Sequence, residues 1–397
     1  MTSNSSHLLP VYAPADEVFV RGEGAWLYTD KNEKYLDFIA GIAVNALGHA
    51  NPKLIAALTE QAGKVWHLSN MFKIAGQEPL AAAYCESSFA EVVFFTNSGT
   101  EAIEGAIKMA RKYQSANGHP ERIDIIGFKG AFHGRTIAAI NAAGNPAYLE
   151  GFGPPLPGFL HAELNDLASV EALTGPTTAA FIVEPVQGEG GCRAATQEFL
   201  EGLRKLADKL GALLIFDEVQ CGAGRTGTLW AHEQVGVTPD IMAVAKGVGG
   251  GFPLGGILAT AEAAKGMVRG THGTTYGGNP LAMAVGQAAF NEISNPEFLA
   301  RVRDVSNFLG QGLEGLRDRH PELVVETRGK GLLRGLKLTM DPKHIQTRAR
   351  QHKLLVGTAG DNVLRLAPPL IIDEAQASQA VDILDKVFAS QLAAAGA

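Results

Sequence analysis

Short apolar segments that each end at a charged residue alternate with helical patterns along the middle of the chain. Three of these segments end at Glu184, Asp217 and Lys246. Between the first two, Thr196 and Gly211 are residue types that commonly begin and end a helix. This alternation predicts βαβ units and a mainly parallel sheet. Because ligands of such sheets bind beyond the carboxyl ends of the strands, we expect the three charged side chains at one site.

The size and composition of the chain favour an ordinary globular α/β protein. Its 397 residues allow a large and a smaller domain, and its 46% hydrophobic and 19% charged residues suit neither a disordered nor a membrane chain. No linker divides the sequence, so we expect the small domain to combine residues 1–50 and 291–397 around a large domain of residues 51–290. The formal net charge of −7 provides no basic surface for nucleic acid.

Several features predict a cytoplasmic protein without a membrane segment. The first twenty residues contain no Lys or Arg and no apolar core of signal-peptide length. The uncharged stretch 273–291 is interrupted by an Asn-Pro pair, so we do not expect it to span a membrane. Cys85, Cys192 and Cys221 have no CxxC spacing, which predicts reduced thiols and no metal site.

Lys246 is the residue with the clearest chemical interpretation. A lysine at the end of an apolar strand is costly unless its charge is removed or paired, and Gly247 and the glycines at 249–251 keep the backbone around it open. Such a lysine suits imine formation, and Asp217 on a neighbouring strand could hold a pyridine nitrogen protonated. The alternative is that Lys246 and Asp217 form a structural salt bridge.

A second motif is typical of phosphate binding. Ser98, Gly99 and Thr100 follow an apolar strand and open a predicted helix, where backbone N–H groups and hydroxyls can bind an anion. Ser98 with Glu101 also matches a capping box, and an ordinary helix cap is the alternative interpretation.

Two further side chains are candidates for ligand contacts. Phe132 follows a predicted strand and could stack on a flat ring, although an isolated Phe is more often a core residue. Arg135 could bind a substrate carboxylate in a bidentate fork, and a solvated arginine is the competing interpretation.

The segment Gly222–Gly227 matches the dinucleotide pattern GxGxxG and suggests a different class of enzyme, a nicotinamide oxidoreductase. The match is weak because residues 217–220 intervene between it and the preceding strand, whereas a dinucleotide loop joins strand to helix tightly.

Six segments together resemble the class III ω-aminotransferase family, which depends on pyridoxal phosphate. These segments are 97–102, 130–135, 184–191, 217–220, Lys246 and 273–280. The resemblance extends from about Tyr12 to the C-terminus. It implies an aspartate-aminotransferase-like fold, with a large, mainly parallel-sheet domain and a smaller α+β domain. The sequence departs from the family at Ile103, where Asn is common, and at Asn51, where a His is often found.

The resemblance also assigns a cofactor site. Its residues would be Ser98, Gly99, Thr100, Phe132, Asp217, Gln220, Lys246 and Thr275. Lys246 would form the imine with the cofactor and move the proton during the reaction, while Asp217 would pair with the ring nitrogen. Gln220 would contact the ring hydroxyl. Thr275 would come from the partner subunit of a homodimer and complete the phosphate site.

The substrates implied by the resemblance are N2-acetylornithine and 2-oxoglutarate, in arginine biosynthesis. Succinylornithine, succinyldiaminopimelate, ornithine and 4-aminobutyrate are the alternative donors. Because the donor presents a terminal amine and the acceptor brings two carboxylates, one charge arrangement cannot serve both. Arg135 would bind the distal carboxylate, Arg365 the α-carboxylate of glutamate, and the catalytic Glu189 would cover Arg365 otherwise. Thr274 is also assigned to the substrate site.

Overall fold

A seven-stranded mixed sheet forms the centre of the computed structural model, which describes residues 7–395. In spatial order its strands are β4 (Val92–Thr96), β12 (Gly255–Ala259), β11 (Ile241–Val244), β10 (Leu213–Asp217), β7 (Thr178–Val183), β5 (Asp124–Phe128) and β6 (Phe159–Ala162). The five strands from β11 to β6 are parallel, and β12 is antiparallel to both of its neighbours. The predicted mainly parallel sheet is therefore confirmed. Strands β7, β10 and β11 are buried along their whole length, as expected for parallel strands covered on both faces.

Helices lie between the strands along the chain and pack against this sheet, against smaller sheets or against one another. They are α1 (Ala40–Ala43), α2 (Pro52–Ala62), α3 (Gln77–Glu86), α4 (Gly99–Ala116), α5 (Ile137–Ala143), α6 (Pro146–Leu149), α7 (Leu167–Glu171), α8 (Gln197–Leu210), α9 (His232–Val235), α10 (Ala261–Ala264), α11 (Pro280–Ile293), α12 (Pro296–Arg319), α13 (Pro342–Gln351) and α14 (Glu374–Ala395). The predicted α8 begins where Thr196 Oγ1 accepts the Phe199 N–H at 3.2 Å, and it ends at Gly211 with φ 61°. Within residues 7–395, no helix combines the length and the apolar composition needed to cross a membrane.

Three smaller sheets lie outside the central one. The first contains β1 (Phe19–Glu23), β2 (Trp26–Thr29), β3 (Lys34–Asp37) and β15 (Leu354–Leu355). The second contains β13 (Val324–Lys330), β14 (Leu333–Leu338), β17 (Val363–Leu366) and β16 (Gly357–Ala359). The third contains β8 (Val186–Gln187) and β9 (Arg193–Ala194). Because β3 pairs in parallel with β15, the two ends of the chain share a sheet. This pairing agrees with a small domain built from both ends. Its limits stay a prediction, and residues 1–6 and 396–397 lie outside the described part.

The two departures from the family pattern have structural roles. Ile103 on α4 is fully buried in the apolar cluster that also contains Ile257. Asn51 caps α2, because its Oδ1 accepts the N–H groups of Lys53 and Leu54 at 3.0 and 3.3 Å. Neither residue therefore needs a function in catalysis to explain its presence.

Candidate active site

The charged residues at the three strand ends line one cavity. Strand β10 lies between β7 and β11, and Asp217 is opposite Ala243 in the parallel register with β11. Glu184, Asp217 and Lys246 face a cavity of about 420 Å³ beyond the carboxyl ends of these strands. The same cavity is lined by other predicted site residues, namely Ser98, Gly99, Thr100, Phe132, Arg135 and Gln220. The topology of the sheet thus brings together side chains from distant parts of the sequence.

Lys246 is held in an unusual backbone conformation just beyond β11. It begins a 3-10 turn, Lys246–Gly249, and has a φ of 51°. This left-handed conformation costs a non-glycine residue about 1–3 kcal/mol, so the surrounding structure must hold it in place. Within residues 7–395, no carboxylate forms an ion pair with Lys246, and burial lowers the pKa of its ammonium group. A lower pKa raises the fraction of neutral amine, which is the nucleophilic form.

Asp217 is paired with His133 rather than with Lys246. The Asp217 Oδ2 lies 2.7 Å from the His133 Nδ1, and the Oδ1 accepts the Val219 N–H at 2.9 Å. Both side chains are buried, and the His133 Nε2 has no hydrogen-bond partner in the described structure. The alternative interpretation, that Lys246 and Asp217 form a structural salt bridge, is therefore wrong. His133 was not predicted as a site residue, although it directly follows Phe132 in the segment 130–135.

Glu184 is a second buried carboxyl group at the cavity. One of its oxygens, Oε2, accepts the Phe132 N–H at 3.1 Å, which connects the end of β7 to the loop after β5. Burial raises the pKa of Glu184 well above its usual value, and the nearby Asp217 carboxylate raises it further.

The N-terminus of α4 points into the same space. Ser98 is its N-cap, and the Ser98 Oγ accepts the Glu101 N–H at 3.4 Å. The predicted reciprocal bond is displaced by one residue, because the Glu101 Oε2 accepts the N–H of Asn97 at 2.6 Å instead of that of Ser98. The first N–H groups of a helix have no partner within the helix, so those of Gly99 and Thr100 suit an anion.

Arg135 lies at the rim of the cavity and stacks on aromatic rings. Its Cζ is 3.9 Å from the centre of the Tyr148 ring and 5.7 Å from that of Phe132. Within residues 7–395, no carboxylate forms an ion pair with Arg135. Its guanidinium therefore has N–H donors to offer to a ligand. The side chain is exposed, but it lies against aromatic rings at the cavity and does not extend freely into solvent.

Glu189 and Arg365 form a largely buried ion pair next to Gln220. The Arg365 Nη1 donates to the Glu189 Oε1 and also to the Gln220 Oε1, the latter at 3.1 Å. Gln220 in turn donates to the Glu189 Oε1 at 3.3 Å. Although burial alone acts to raise it, the Arg365 charge and hydrogen bond lower the pKa of Glu189 overall. Glu189 therefore remains ionised and covers Arg365, while the Arg365 Nε has no partner in the described structure.

Thr274 and Thr275 do not reach the Lys246 cavity of their own chain. They line a second cavity of about 450 Å³, and Asn97 borders both cavities. The Thr274 Oγ1 accepts the Gly277 N–H at 3.1 Å, and this bond stabilises the turn before α11. One chain alone therefore leaves Thr274 away from the site that the sequence assigned to it, and the supply of Thr275 by a partner stays a prediction.

The glycine-rich segment Gly222–Gly227 is a buried turn and starts no helix. Arg225 at its centre is fully buried, and its Nη1 donates to the carbonyl oxygens of Leu332 at 3.2 Å and Pro368 at 2.5 Å. The next helix, α9, begins only at His232. The segment lacks the helix N-terminus that holds a pyrophosphate, so the hypothesis of a nicotinamide site is wrong.

Comparison with known proteins identifies the family. Residues 11–388 match the sequence profile named "Aminotransferase class-III". The chain belongs to this family. As a class-III aminotransferase, it depends on pyridoxal phosphate.

Similar proteins align with this aminotransferase over nearly its whole length. It is 55% identical over 398 residues to "Acetylornithine aminotransferase 2" of Caulobacter vibrioides, which covers 100% of this chain and 98% of the relative. It is also 55% identical to the acetylornithine aminotransferase of Rhodobacter capsulatus, over 96% of this chain and 98% of the relative. Among solved structures, the N-acetylornithine aminotransferase of Stenotrophomonas maltophilia has a TM-score of 0.84 and 39% identity, covering 96% of this chain and 98% of that one. The ornithine aminotransferase of Toxoplasma gondii has a TM-score of 0.93 and 30% identity, covering 97% and 93%.

The donor set of the cavity fits pyridoxal phosphate. The Lys246 amine, which no carboxylate pairs within the described residues, suits the cofactor's aldehyde, and the start of α4 suits its phosphate. The backbone around the helix start is tightly shaped as well. A Cβ at Gly99 would come within 2.7 Å of the Val219 Cγ1, and a Cβ at Gly134 within 2.2 Å of the Thr100 Oγ1.

Proposed function

We propose that this aminotransferase moves the δ-amino group of N2-acetylornithine to 2-oxoglutarate. The products are N-acetylglutamate 5-semialdehyde and glutamate, and the reaction belongs to arginine biosynthesis. Relatives that are 55% identical over nearly the whole chain carry the name of this activity, which supports the proposal. The structural observation that carries it is a pair of arginines in opposite states: Arg135 offers its charge to the cavity, whereas Glu189 covers Arg365.

This difference suits two substrates with different numbers of carboxylates. Acetylornithine has one carboxylate, which Arg135 would bind while Glu189 remains on Arg365. 2-Oxoglutarate has two, so Arg135 would bind the γ-carboxylate and Arg365 the α-carboxylate after Glu189 moves away. A hydrogen bond to a charged group contributes about 1.5–3 kcal/mol, so Arg365 would lose Glu189 only when a substrate carboxylate replaces it. Gln220 contacts both partners of the pair and would remain beside either arrangement.

The remaining residues would bind the cofactor and handle the proton. Bound pyridoxal phosphate supplies an electron sink for the carbon that carries the amino group. Lys246 would hold the cofactor through its Nζ and, once displaced by the substrate amine, would take and return the proton of the substrate carbon. Asp217, fixed by its hydrogen bond to His133, would keep the ring nitrogen protonated. The other contacts would come from Ser98, Gly99 and Thr100 to the phosphate, from Phe132 to the ring face and from Gln220 to the ring hydroxyl.

We also propose that the enzyme works as a homodimer in the cytoplasm. Thr275 is exposed beside Asn97, at the border of the cofactor cavity, and so is accessible to a second subunit. Large apolar side chains near it are also exposed, with Tyr276 61% and Trp66 64% accessible, which supports self-association of this surface. The three free cysteines agree with a reducing compartment.

Single-turnover kinetics of the donor half-reaction test the proposed substrate. The purified enzyme is mixed separately with acetylornithine, succinylornithine, succinyldiaminopimelate, ornithine, 4-aminobutyrate and glutamate, and the change in cofactor absorbance is followed. We expect acetylornithine to have the highest kcat/KM among the ω-amine donors. A higher value for ornithine or 4-aminobutyrate would contradict the proposed donor while leaving the aminotransferase family intact.

A further inference from the structure

The Arg135 guanidinium lies against the Tyr148 ring, with the Phe132 ring farther from it on the same side of the cavity rim. The guanidinium carbon lies 3.9 Å from the centre of the Tyr148 ring, so the two groups are in stacking distance. Phe132 stands nearly perpendicular to Tyr148, with ring centres 6.1 Å apart and an interplanar angle of 88°. Aromatic contacts therefore take the place of an ion pair, since no carboxylate within residues 7–395 pairs with Arg135.

The backbone between Arg135 and Tyr148 is built to return the chain over the arginine. Helix α5 ends at Gly144, whose φ of 66° reverses the chain direction. A Cβ at Gly144 would lie only 2.3 Å from atoms of the His161 ring, so no larger residue fits this close approach. Asn145 then caps α6 by accepting the Ala147 N–H at 3.0 Å. Tyr148 on α6 is thus held by a turn with its own hydrogen bonds and steric constraints.

We propose that Tyr148 is a positioning residue that orients Arg135 for bidentate binding of a substrate carboxylate. This inference rests on the proposed function, in which Arg135 binds the carboxylate of acetylornithine or the γ-carboxylate of 2-oxoglutarate. A guanidinium that stacks by its face keeps its edge N–H groups free, and those are the donors that match a carboxylate. An arginine that is already oriented loses less conformational freedom when the substrate binds.

The inference predicts selectivity between donors with and without this carboxylate. N-Acetylputrescine is acetylornithine without its α-carboxylate, and it keeps the terminal amine and the acetamide. Tyr148 should therefore matter for acetylornithine and 2-oxoglutarate but not for N-acetylputrescine. A residue that only stabilised the local fold would affect all three substrates alike.

The test compares two substitutions of Tyr148 in the cofactor-loaded enzyme. Tyr148→Leu removes the aromatic face, whereas Tyr148→Phe keeps the ring and should behave like the wild type. With Tyr148→Leu we expect KM for acetylornithine and 2-oxoglutarate to rise roughly 3- to 30-fold, with kcat changed by less than about twofold, because a stacked cation contributes modestly at a partly exposed site. KM for N-acetylputrescine should stay unchanged. Phe152→Leu, at a 68% exposed position in the same segment, serves as a matched control.

A double variant shows whether Tyr148 acts through Arg135. If it does, Tyr148→Leu should have little additional effect in an enzyme that already carries Arg135→Ala. The inference is overturned if Tyr148→Leu leaves both carboxylate substrates unaffected, if it raises KM equally for N-acetylputrescine, or if Tyr148→Phe is as defective as Tyr148→Leu. Failure of the proposed function has a different signature, since the wild-type enzyme itself would then not prefer acetylornithine.

Discussion

Replacement of Glu189 by Ala should change how the enzyme distinguishes its two amino donors. In the proposed mechanism, glutamate has to displace Glu189 from Arg365 before its α-carboxylate can bind, whereas acetylornithine leaves this pair closed. The Arg365 side chain is 3% exposed and the Glu189 side chain 26%, so their bond is largely shielded from water. A charge-assisted hydrogen bond of about 1.5–3 kcal/mol corresponds to roughly a 10- to 150-fold change in rate. We therefore expect kcat/KM for glutamate to rise by that factor, while that for acetylornithine stays nearly constant.

Stopped-flow measurement of the two half-reactions provides the assay. Glu189→Gln should lie between the wild type and Glu189→Ala, since an amide oxygen still accepts a hydrogen bond but carries no charge. Glu163→Ala, which removes a surface carboxylate paired with Lys129, should leave the ratio of the two rates as it is. If Glu189→Ala left that ratio within about twofold of the wild type, the idea that Glu189 covers Arg365 between substrates would be refuted.

Two further predictions concern the cofactor site and acid stability. Gly134→Ala should weaken cofactor binding by about tenfold or more, because its Cβ would approach the Thr100 Oγ1 within 2.2 Å. Gly153→Ala is the control, since Gly153 also has a positive φ but no atom lies within 4 Å of the added Cβ. A fluorescence titration of the apoenzyme with the cofactor compares the affinities of the two variants. Burial lowers the pKa of His232 to about 4, so the unfolded chain binds this proton first as the pH falls. The free energy of unfolding should therefore decrease from about pH 6.5 to about pH 4. Urea denaturation across this range should show a shallower loss for His232→Leu, and an unchanged slope would contradict the assignment.

Much of the fold could be predicted because its signals are local. The apolar segments before Glu184, Asp217 and Lys246 have the length of buried strands, and Thr196 and Gly211 mark both ends of α8 through their own backbone geometry. The order of the strands in the sheet could not be predicted from such local signals. It depends on which segments pack together, and no local pattern indicated that β12 would insert in antiparallel orientation between β4 and β11.

The residues that line the candidate active site could largely be predicted, but their contacts with one another could not. The bond between His133 and Asp217 joins residues 84 positions apart, so neither motif alone indicated it. The stacking of Tyr148 on Arg135 depends on the reversal at Gly144, which no motif signalled.

Chemical trapping of the cofactor tests the central claim most directly. Borohydride reduction of the loaded enzyme, followed by proteolysis and mass spectrometry, should find the reduced cofactor attached to the peptide that contains Lys246. Lys246→Ala should contain no such adduct and should not turn over. An adduct on any other lysine, or full activity in Lys246→Ala, would contradict the assignment of this residue and the site built around it.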